Sequence, residues 1–477
     1  MSDIEKTVII VGAGLAGIAA SYYLAKNNIQ HILLEKANEV GGIWSSHRWP
    51  GIRCDTEIIN YSYSFMPLTS DHYLVSGKNI SKYLKTTADA LGITAKVMFD
   101  TEVSKAEFSE HEKRWCLHTN RGIFKSRFLL NTNGYFTDKP YVPEFEGIDT
   151  FKGDVMHLFA VDDNTPIKGR NVVLVGSGAS AISAAPALAA VGASTTLLQR
   201  SPSYIYEQNN DIGVFVYIAQ TLHHKGFSTP LKLLNLLLQL KYDSVFVLFR
   251  AAPWLGKLFF RYHWNGTVDA STYNKHFRPA YNPWEQRIPV SIGLKEIIQR
   301  KKIQLVTGQI KRFTESGIQI EDGRLIEADL CILATGFNLS FFQFDISIDK
   351  KRVDTRKINF YKGMMMGGIP NYFQPFGPPH TSFTRRIEVI SKLIAKIILH
   401  MRAHGHDMVK IERKSVRQEP RITPNYIMRD LSKLPASYGT TELPSIDNWL
   451  FYRFRESDYI FSGERNYEQK LTAHECF

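Results

Sequence analysis

The chain has 477 residues, room for about three compact units at ~150 residues each. Apolar residues make up 44% and charged residues 22%, a globular profile that excludes disordered and fibrous chains. The net charge of +12 comes with no nucleic-acid-binding signature, and no apolar stretch reaches the ~20 residues of a membrane span. Cys54, Cys116, Cys331 and Cys476 are scattered, with no C-x-x-C pair to bind zinc or exchange disulfides, so no metal site is expected. Lone cysteines suit a reducing cytoplasm, and the first residues lack the basic and apolar regions of a secretory signal.

Val8 to Val11 is a β-branched apolar run of the kind that forms a buried parallel strand. Gly12-Ala13-Gly14-Leu15-Ala16-Gly17 follows at once, and Ile18 to Leu24 reads as a helix. In this strand, G-x-G-x-x-G, helix order, Gly12 permits the tight turn and Gly14 admits a pyrophosphate to the backbone. Gly17 lets helix and strand pack closely. The next strand, Ile32 to Leu34, ends in Glu35, 23 residues past Gly12. A carboxylate there accepts from a ribose 2′-hydroxyl and repels a 2′-phosphate, which suits FAD.

The pattern recurs. Val172 to Val175 reads as a strand, Gly176-Ser177-Gly178-Ala179-Ser180-Ala181 as the phosphate loop, and Ile182 to Ala190 as the helix. The following strand, Thr195 to Leu198, leads to Arg200 and Ser201, and Arg200 lies 24 residues past Gly176. A guanidinium and a hydroxyl in the place of the first unit's acid can grip a 2′-phosphate, which suits NADPH. A chain that binds both cofactors moves electrons between them.

Asn131-Thr132-Asn133-Gly134 and Ala334-Thr335-Gly336-Phe337 each close an apolar strand with a glycine-containing turn, and read as crossings between units. The expected fold is α/β, with two Rossmann-like dinucleotide-binding domains, the second inserted in the first. The FAD-binding domain comprises about 1–150 plus 332–477, and the NADPH-binding domain about 151–331. Residues 205–280, rich in Leu, Phe, Tyr and Trp, read as a helical addition to the inserted domain. Ile387, Ile390, Ile394, Ile397, Ile398 and Met401 fall at helical spacing, with Arg386, Lys392, Lys396 and Arg402 around them. That helix is either an ordinary one with a core-facing stripe or a contact for anionic lipid on the inner face of the membrane.

Gly41-Gly42-Ile43-Trp44-Ser45-Ser46-His47-Arg48-Trp49-Pro50-Gly51-Ile52-Arg53-Cys54-Asp55 resembles the long fingerprint of class B flavoprotein monooxygenases, and among them of the Baeyer–Villiger monooxygenases. Trp49 replaces the usual Phe or Tyr. A second signature, FxGxxxHxxxW, is present as Phe151, Gly153 and His157, but Val161 stands where an aromatic residue is usual. Lys275 to Arg287, Tyr361 to Met365 and Gly367 to Asn371 are similar to the ethionamide-activating branch, and the resemblance runs from Val8 to about Leu450.

The resemblance implies that Arg287 is the active-site arginine beside the flavin, with Asp55 as its carboxylate partner. It implies cofactor contact at Gly42, Trp44, Arg53, Asp55, Tyr61 and Val103, besides the two loops. Gln286 stands where the family often has a lysine for the NADPH phosphate, leaving more of that task to Arg200. Physically, a fixed cation favours an anionic flavin peroxide, and then the oxyanion formed when the peroxide attacks a carbonyl. Asp55 holds the guanidinium and offsets its burial. The implied reaction turns an apolar ketone into an ester with NADPH and O2.

An N- or S-oxygenating flavin monooxygenase acting on a sulfide is the alternative. A non-catalytic, membrane-associated protein that binds FAD and NADPH is a second. An ion pair that only ties two domains together is the plainer reading of Arg287 and Asp55. Trp284, Phe337, Phe341 and Phe342 are either pocket wall or core. Nothing in the sequence speaks for a particular oligomeric state.

Overall fold

The run Val8 to Val11 lies at the centre of strand β1 (Ile4–Val11), at most 4% exposed. It is paired in parallel with β2 (His31–Leu34) on one side and β6 (Gly122–Asn131) on the other. A computed structural model of the chain describes residues 4–192, 194–354, 358–376, 382–412, 425–430, 436–438 and 454–463, and Cys476 lies outside them. Helix α1 (Leu15–Lys26) leads from β1 towards β2. The short helices α2 (Ile43–Ser46) and α3 (Ile58–Tyr61) and the longer α4 (Gly77–Ala90) come before β3 (Val97–Met98).

Strand β5 (Arg114–Thr119) pairs antiparallel with β6, and β4 (Val103–Ser109) pairs antiparallel with β5, extending the sheet. The full order is β20-β19-β4-β5-β6-β1-β2-β3, with the Tyr372–Phe373 strand beside β6. In it, β19 is Asp345–Ile348 and β20 is Lys351–Arg352. Buried parallel strands need apolar residues on both faces, which explains the unbroken runs at Val8 and Phe128.

A second sheet is wholly parallel, in the order β13-β10-β9-β17-β8. It comprises β8 (Asp154–His157), β9 (Asn171–Val175), β10 (Ser194–Gln199), β13 (Gln304–Thr307) and β17 (Leu330–Leu333). Helix α5 (Ala179–Val191) connects β9 to β10. Helices α6 (Val214–His224), α7 (Thr229–Ala251), α8 (Pro253–Trp264) and α9 (Ala270–His276) follow. Strands β11 (Tyr206–Glu207) and β12 (Val290–Ser291) pair across them, and α10 (Leu294–Gln299) leads back to β13. A small antiparallel sheet of β14 (Ile310–Thr314), β15 (Gly317–Ile320) and β16 (Leu325–Glu327) precedes β17.

The two segments that join the large sheets run side by side. β7 (Phe136–Pro140) and β18 (Phe337–Leu339) form an antiparallel ribbon, and the Thr335 hydroxyl donates to the Tyr141 carbonyl at 2.5 Å.

Helix α11 (Phe383–His404) packs along α1 with Ile387, Ile390, Ile394, Ile397, Ile398 and Met401 buried. Its stripe faces the core, and Arg386, expected on the outer face, is only 2% exposed. Arg385 donates to the Ile59 carbonyl at 3.0 Å, and Glu388 accepts the Ser64 amide at 2.6 Å. Lys392, Lys396 and Arg402 remain on the surface. The helix is a packed strut whose basic residues divide between interior and solvent.

Candidate active site

Both glycine loops open on one cleft of about 1250 Å³, larger than the ~300–1,000 Å³ of a pocket for one small ligand. At the first loop, Gly12 has φ +103°, and its amide donates to Leu34 at 2.8 Å, joining the loop to the end of β2. A Cβ on Gly17 would fall 2.0 Å from the Gly12 carbonyl oxygen, so helix and strand approach only because that atom is missing. A Cβ on Gly42 would lie 3.1 Å from the Gly14 Cα, which makes the wall of the cleft bare backbone there. The Glu35 carboxylate accepts from the Ala13 amide at 2.6 Å and the Ala37 amide at 2.9 Å. Two backbone donors thus hold the acid at the edge of the loop.

The second loop repeats the arrangement. Gly176 has φ +142°, and a Cβ there would meet the Ala334 carbonyl at 2.6 Å. A Cβ on Gly178 would meet nothing within 4 Å. Ser177 and Ser203 hydroxyls are 2.9 Å apart, and Arg200 and Ser201 stand exposed past the end of β10, lining the cleft. Neither α1 nor α5 has a side-chain cap at its N-terminus. Uncapped helix starts present free amide donors and the positive end of the dipole, so both cradles fit a pyrophosphate.

Arg287 and Asp55 face each other between these loops. The guanidinium donates to Asp55 Oδ2 at 2.5 Å across 232 residues of sequence, and the side chains are 35% and 18% exposed. Trp284, three residues before Arg287, has φ +70°, a conformation that bulky residues rarely adopt. Its ring packs edge-on to Phe246 of α7 at 5.6 Å, so tertiary packing holds the turn that carries Arg287. Beside Asp55, burial foremost and then the carboxylate's charge push the Cys54 thiol far up. Cys54 is buried and forms no disulfide. Burial likewise pushes the Tyr61 phenol up, and this neutral hydroxyl accepts the Trp44 indole N–H at 2.6 Å.

Of the residues singled out from the sequence, Gly12, Gly14, Glu35, Gly42, Trp44, Arg53, Asp55, Tyr61, Gly176, Ser177, Gly178, Ser180, Arg200, Ser201 and Arg287 line the cleft. Ala13, Gly17 and Ala181 lie behind it in the loop and helix packing, and Val103 is buried in the core at the start of β4. Arg53 also reaches across to the Ser183 carbonyl of α5 at 3.3 Å, linking the fingerprint to the second unit. Phe337 lines the cleft, whereas Phe341 and Phe342 pack in the core.

Sequence reasoning missed Phe159. Its ring stacks on Trp49 at 5.4 Å and on Phe337 at 6.0 Å, with His47 edge-on at 4.2 Å. Val161 is 1% exposed in the core cluster beneath the second sheet and does not itself line the cleft. The available signal was an aromatic residue two places after His157.

A family model described as "Pyridine nucleotide-disulphide oxidoreductase" matches residues 9–228. The chain is 33% identical over 461 residues to "FAD-containing monooxygenase EthA" of Mycobacterium tuberculosis (strain ATCC 25618 / H37Rv), covering 93% of each chain. It is 30% identical over 414 residues to "Probable FAD-binding monooxygenase AlmA" of Acinetobacter baylyi (strain ATCC 33305 / BD413 / ADP1), covering 84% of this chain and 82% of that one. Among solved structures, "Oxidized steroid monooxygenase bound to NADP" superposes with a TM-score of 0.77 at 23% identity, covering 96% of this chain and all 100% of that chain.

Proposed function

From a chain that belongs to the FAD-containing monooxygenases, in their EthA-like, Baeyer–Villiger-type branch, we propose oxidation of an apolar ketone to an ester at the Arg287–Asp55 pair. The enzyme is an FAD- and NADP-dependent monooxygenase. Bound FAD, once reduced by NADPH, supplies the electron pair that activates O2. One oxygen atom enters the product and the other leaves as water.

The chain's own residues supply position and charge. Gly14 and the start of α1 receive one pyrophosphate, and Glu35 selects the ribose hydroxyl. Gly178 and the start of α5 receive the other, and Arg200 with Ser201 takes the 2′-phosphate. Arg287 holds a permanent positive charge at the junction of the two sites, where negative charge develops on oxygen during attack on the carbonyl. Asp55 fixes the planar guanidinium through its 2.5 Å contact and compensates its partial burial. The observation that carries this reading is that pair, set in a cleft reached from both glycine loops.

Oxidation of a sulfide at the same site is the second reading, since the apolar part of the cleft wall, with Trp44, Tyr135, Phe136, Phe159 and Phe337, admits an apolar sulfide as readily as an apolar ketone. The test gives the purified enzyme NADPH, isotopically heavy O2 and a set of apolar ketones and sulfides. An ester carrying one heavy oxygen per NADPH is the expected product. Sulfoxide alone, with every ketone untouched, would replace the ketone reading with the sulfide one.

A further inference from the structure

We infer that the outer face of α6–α8 is a docking surface for an anionic phospholipid bilayer, on which the enzyme lies without crossing it. Helix α8 buries Gly256, Phe260 and Trp264 and turns Trp254, Leu258 and Tyr262 outward at the same spacing. Helix α7 buries Leu231, Asn235, Phe246 and Phe249, and exposes Leu233, Leu236, Leu237, Leu240, Val247 and Leu248. Helix α6 adds Val214, Phe215, Tyr217 and Ile218. Phe215 is 79% exposed, Tyr262 77% and Trp254 65%. A helix apolar on both faces needs a second apolar environment, and an isolated exposed leucine does not account for a continuous face of this size.

Charge selects the occupant. Lys225, Lys232, Lys241, Arg250, Lys257 and Arg261 are all exposed on these helices, and the stretch 214–264 has one acidic residue, Asp243. A second copy of the chain would set these six cations against six more. An anionic headgroup layer complements them while the Leu, Phe and Trp side chains enter the acyl boundary. Outward Trp and Tyr are the side chains that favour that boundary. No described helix is long and apolar enough to cross a membrane, which agrees with a surface-lying mode.

The inner face of α7 connects this surface to the candidate site. Asn235 donates to the Ile59 carbonyl at 2.6 Å, and Phe246 meets Trp284 on the turn that carries Arg287. A bilayer-dissolved apolar molecule would therefore reach the protein beside its cleft, a consequence that rests on the proposed oxygenase reading, whereas the docking itself does not.

The test sediments FAD-loaded enzyme with vesicles of phosphatidylcholine alone and of phosphatidylcholine mixed with phosphatidylglycerol, at low and high salt. Binding should favour the anionic vesicles by about tenfold and fall as salt rises. The triple variant Phe215→Ser, Trp254→Ser, Tyr262→Ser should lose about tenfold or more of that binding while retaining FAD absorbance. Lys232→Gln, Lys241→Gln, Lys257→Gln should remove the preference for anionic lipid and leave the apolar face intact. Wild-type protein that stays in the supernatant with both vesicles overturns the inference. So does a wild-type dimer that ignores vesicles and is split by the apolar triple variant, which would make the face a contact between copies. Because the readout is lipid binding, a failure of ketone oxidation leaves the result unaffected.

Discussion

The Trp49 indole lies nearly parallel to the Phe159 ring, 5.4 Å between centroids and 12° between planes. This contact joins the fingerprint segment to the strand end that follows His157, and Phe159 continues the stack to Phe337 on β18. Phe136 of β7 meets Phe337 edge-on at 3.9 Å, so both chain crossings and the fingerprint meet at one aromatic cluster. Phe159→Ala should lower unfolding free energy by about 2 kcal/mol, below the ~3–5 of a fully buried ring because Phe159 is partly exposed. Denaturant unfolding measures that loss. Phe159→Trp should keep the column, and equal losses for both variants would show that ring stacking is not the cause.

Arg287→Ala should still bind FAD and NADPH but lose oxygenated product by about 10²-fold or more, the typical cost of one preorganised donor. NADPH consumption should continue with release of hydrogen peroxide. Arg287→Lys keeps the charge without the planar fork that Asp55 grips, and should recover only part of the yield. Product, peroxide and NADPH measured together give the coupling. Wild-type coupling in Arg287→Ala would reduce the Asp55 pair to a tie between the two units.

Arg200→Ala should weaken NADPH binding by about ten- to a hundredfold, the equivalent of ~1.5–3 kcal/mol for a charge-assisted hydrogen bond. NADH binding should scarcely change. Titration of both nucleotides decides it, and equal losses would remove the 2′-phosphate role.

Gly17→Ala introduces a carbon 2.0 Å from the Gly12 carbonyl, backbone against backbone, so α1 must move off β1. The expected cost is about 1–3 kcal/mol of stability together with loss of FAD during purification. Flavin absorbance per protein chain is the measurement. Gly134→Ala is a useful contrast. Its φ of +72° is strained, but a Cβ there meets nothing within 4 Å, so the damage should be smaller.

His31 has a built-in pH dependence. It is 6% exposed, its Nδ1–H donates to the Ile29 carbonyl at 2.7 Å, and its Nε2 lies 2.8 Å from the Ser21 hydroxyl. Burial foremost lowers its pKa to about 4, below the ordinary ~6.5. The unfolded chain therefore binds the proton first as pH falls. Stability from this group is complete above pH ~6.5 and declines as pH falls towards 4. His31→Gln should flatten urea-unfolding midpoints between pH 7 and pH 5 relative to wild type. An unchanged slope would mean that the ring takes up its proton equally in the folded and unfolded chains, so that its burial does not hold it neutral.

The phosphate loops, their strands and the Glu35–Arg200 contrast were legible in the sequence because each rests on local backbone geometry. A strand, a tight turn and a helix start occupy consecutive residues, and the φ of Gly12 and Gly176 follows from the turn alone. The stripe of α11 was legible as periodicity, but whether it faced core or solvent was not, because that depends on α1 arriving from more than 350 residues earlier. Asp55 and Arg287 were paired only through family resemblance. No local rule joins residues 232 positions apart; their contact sits where α7 reaches Ile59 through Asn235 and the strained turn at Trp284 through Phe246, while Arg53 ties the fingerprint to α5. The Phe159 column, the inward turn of Arg386 and the outward apolar faces of α7 and α8 were likewise decided by tertiary packing. Sequence periodicity shows that a residue is apolar and which neighbours share its face; which surface that face meets depends on packing among distant segments.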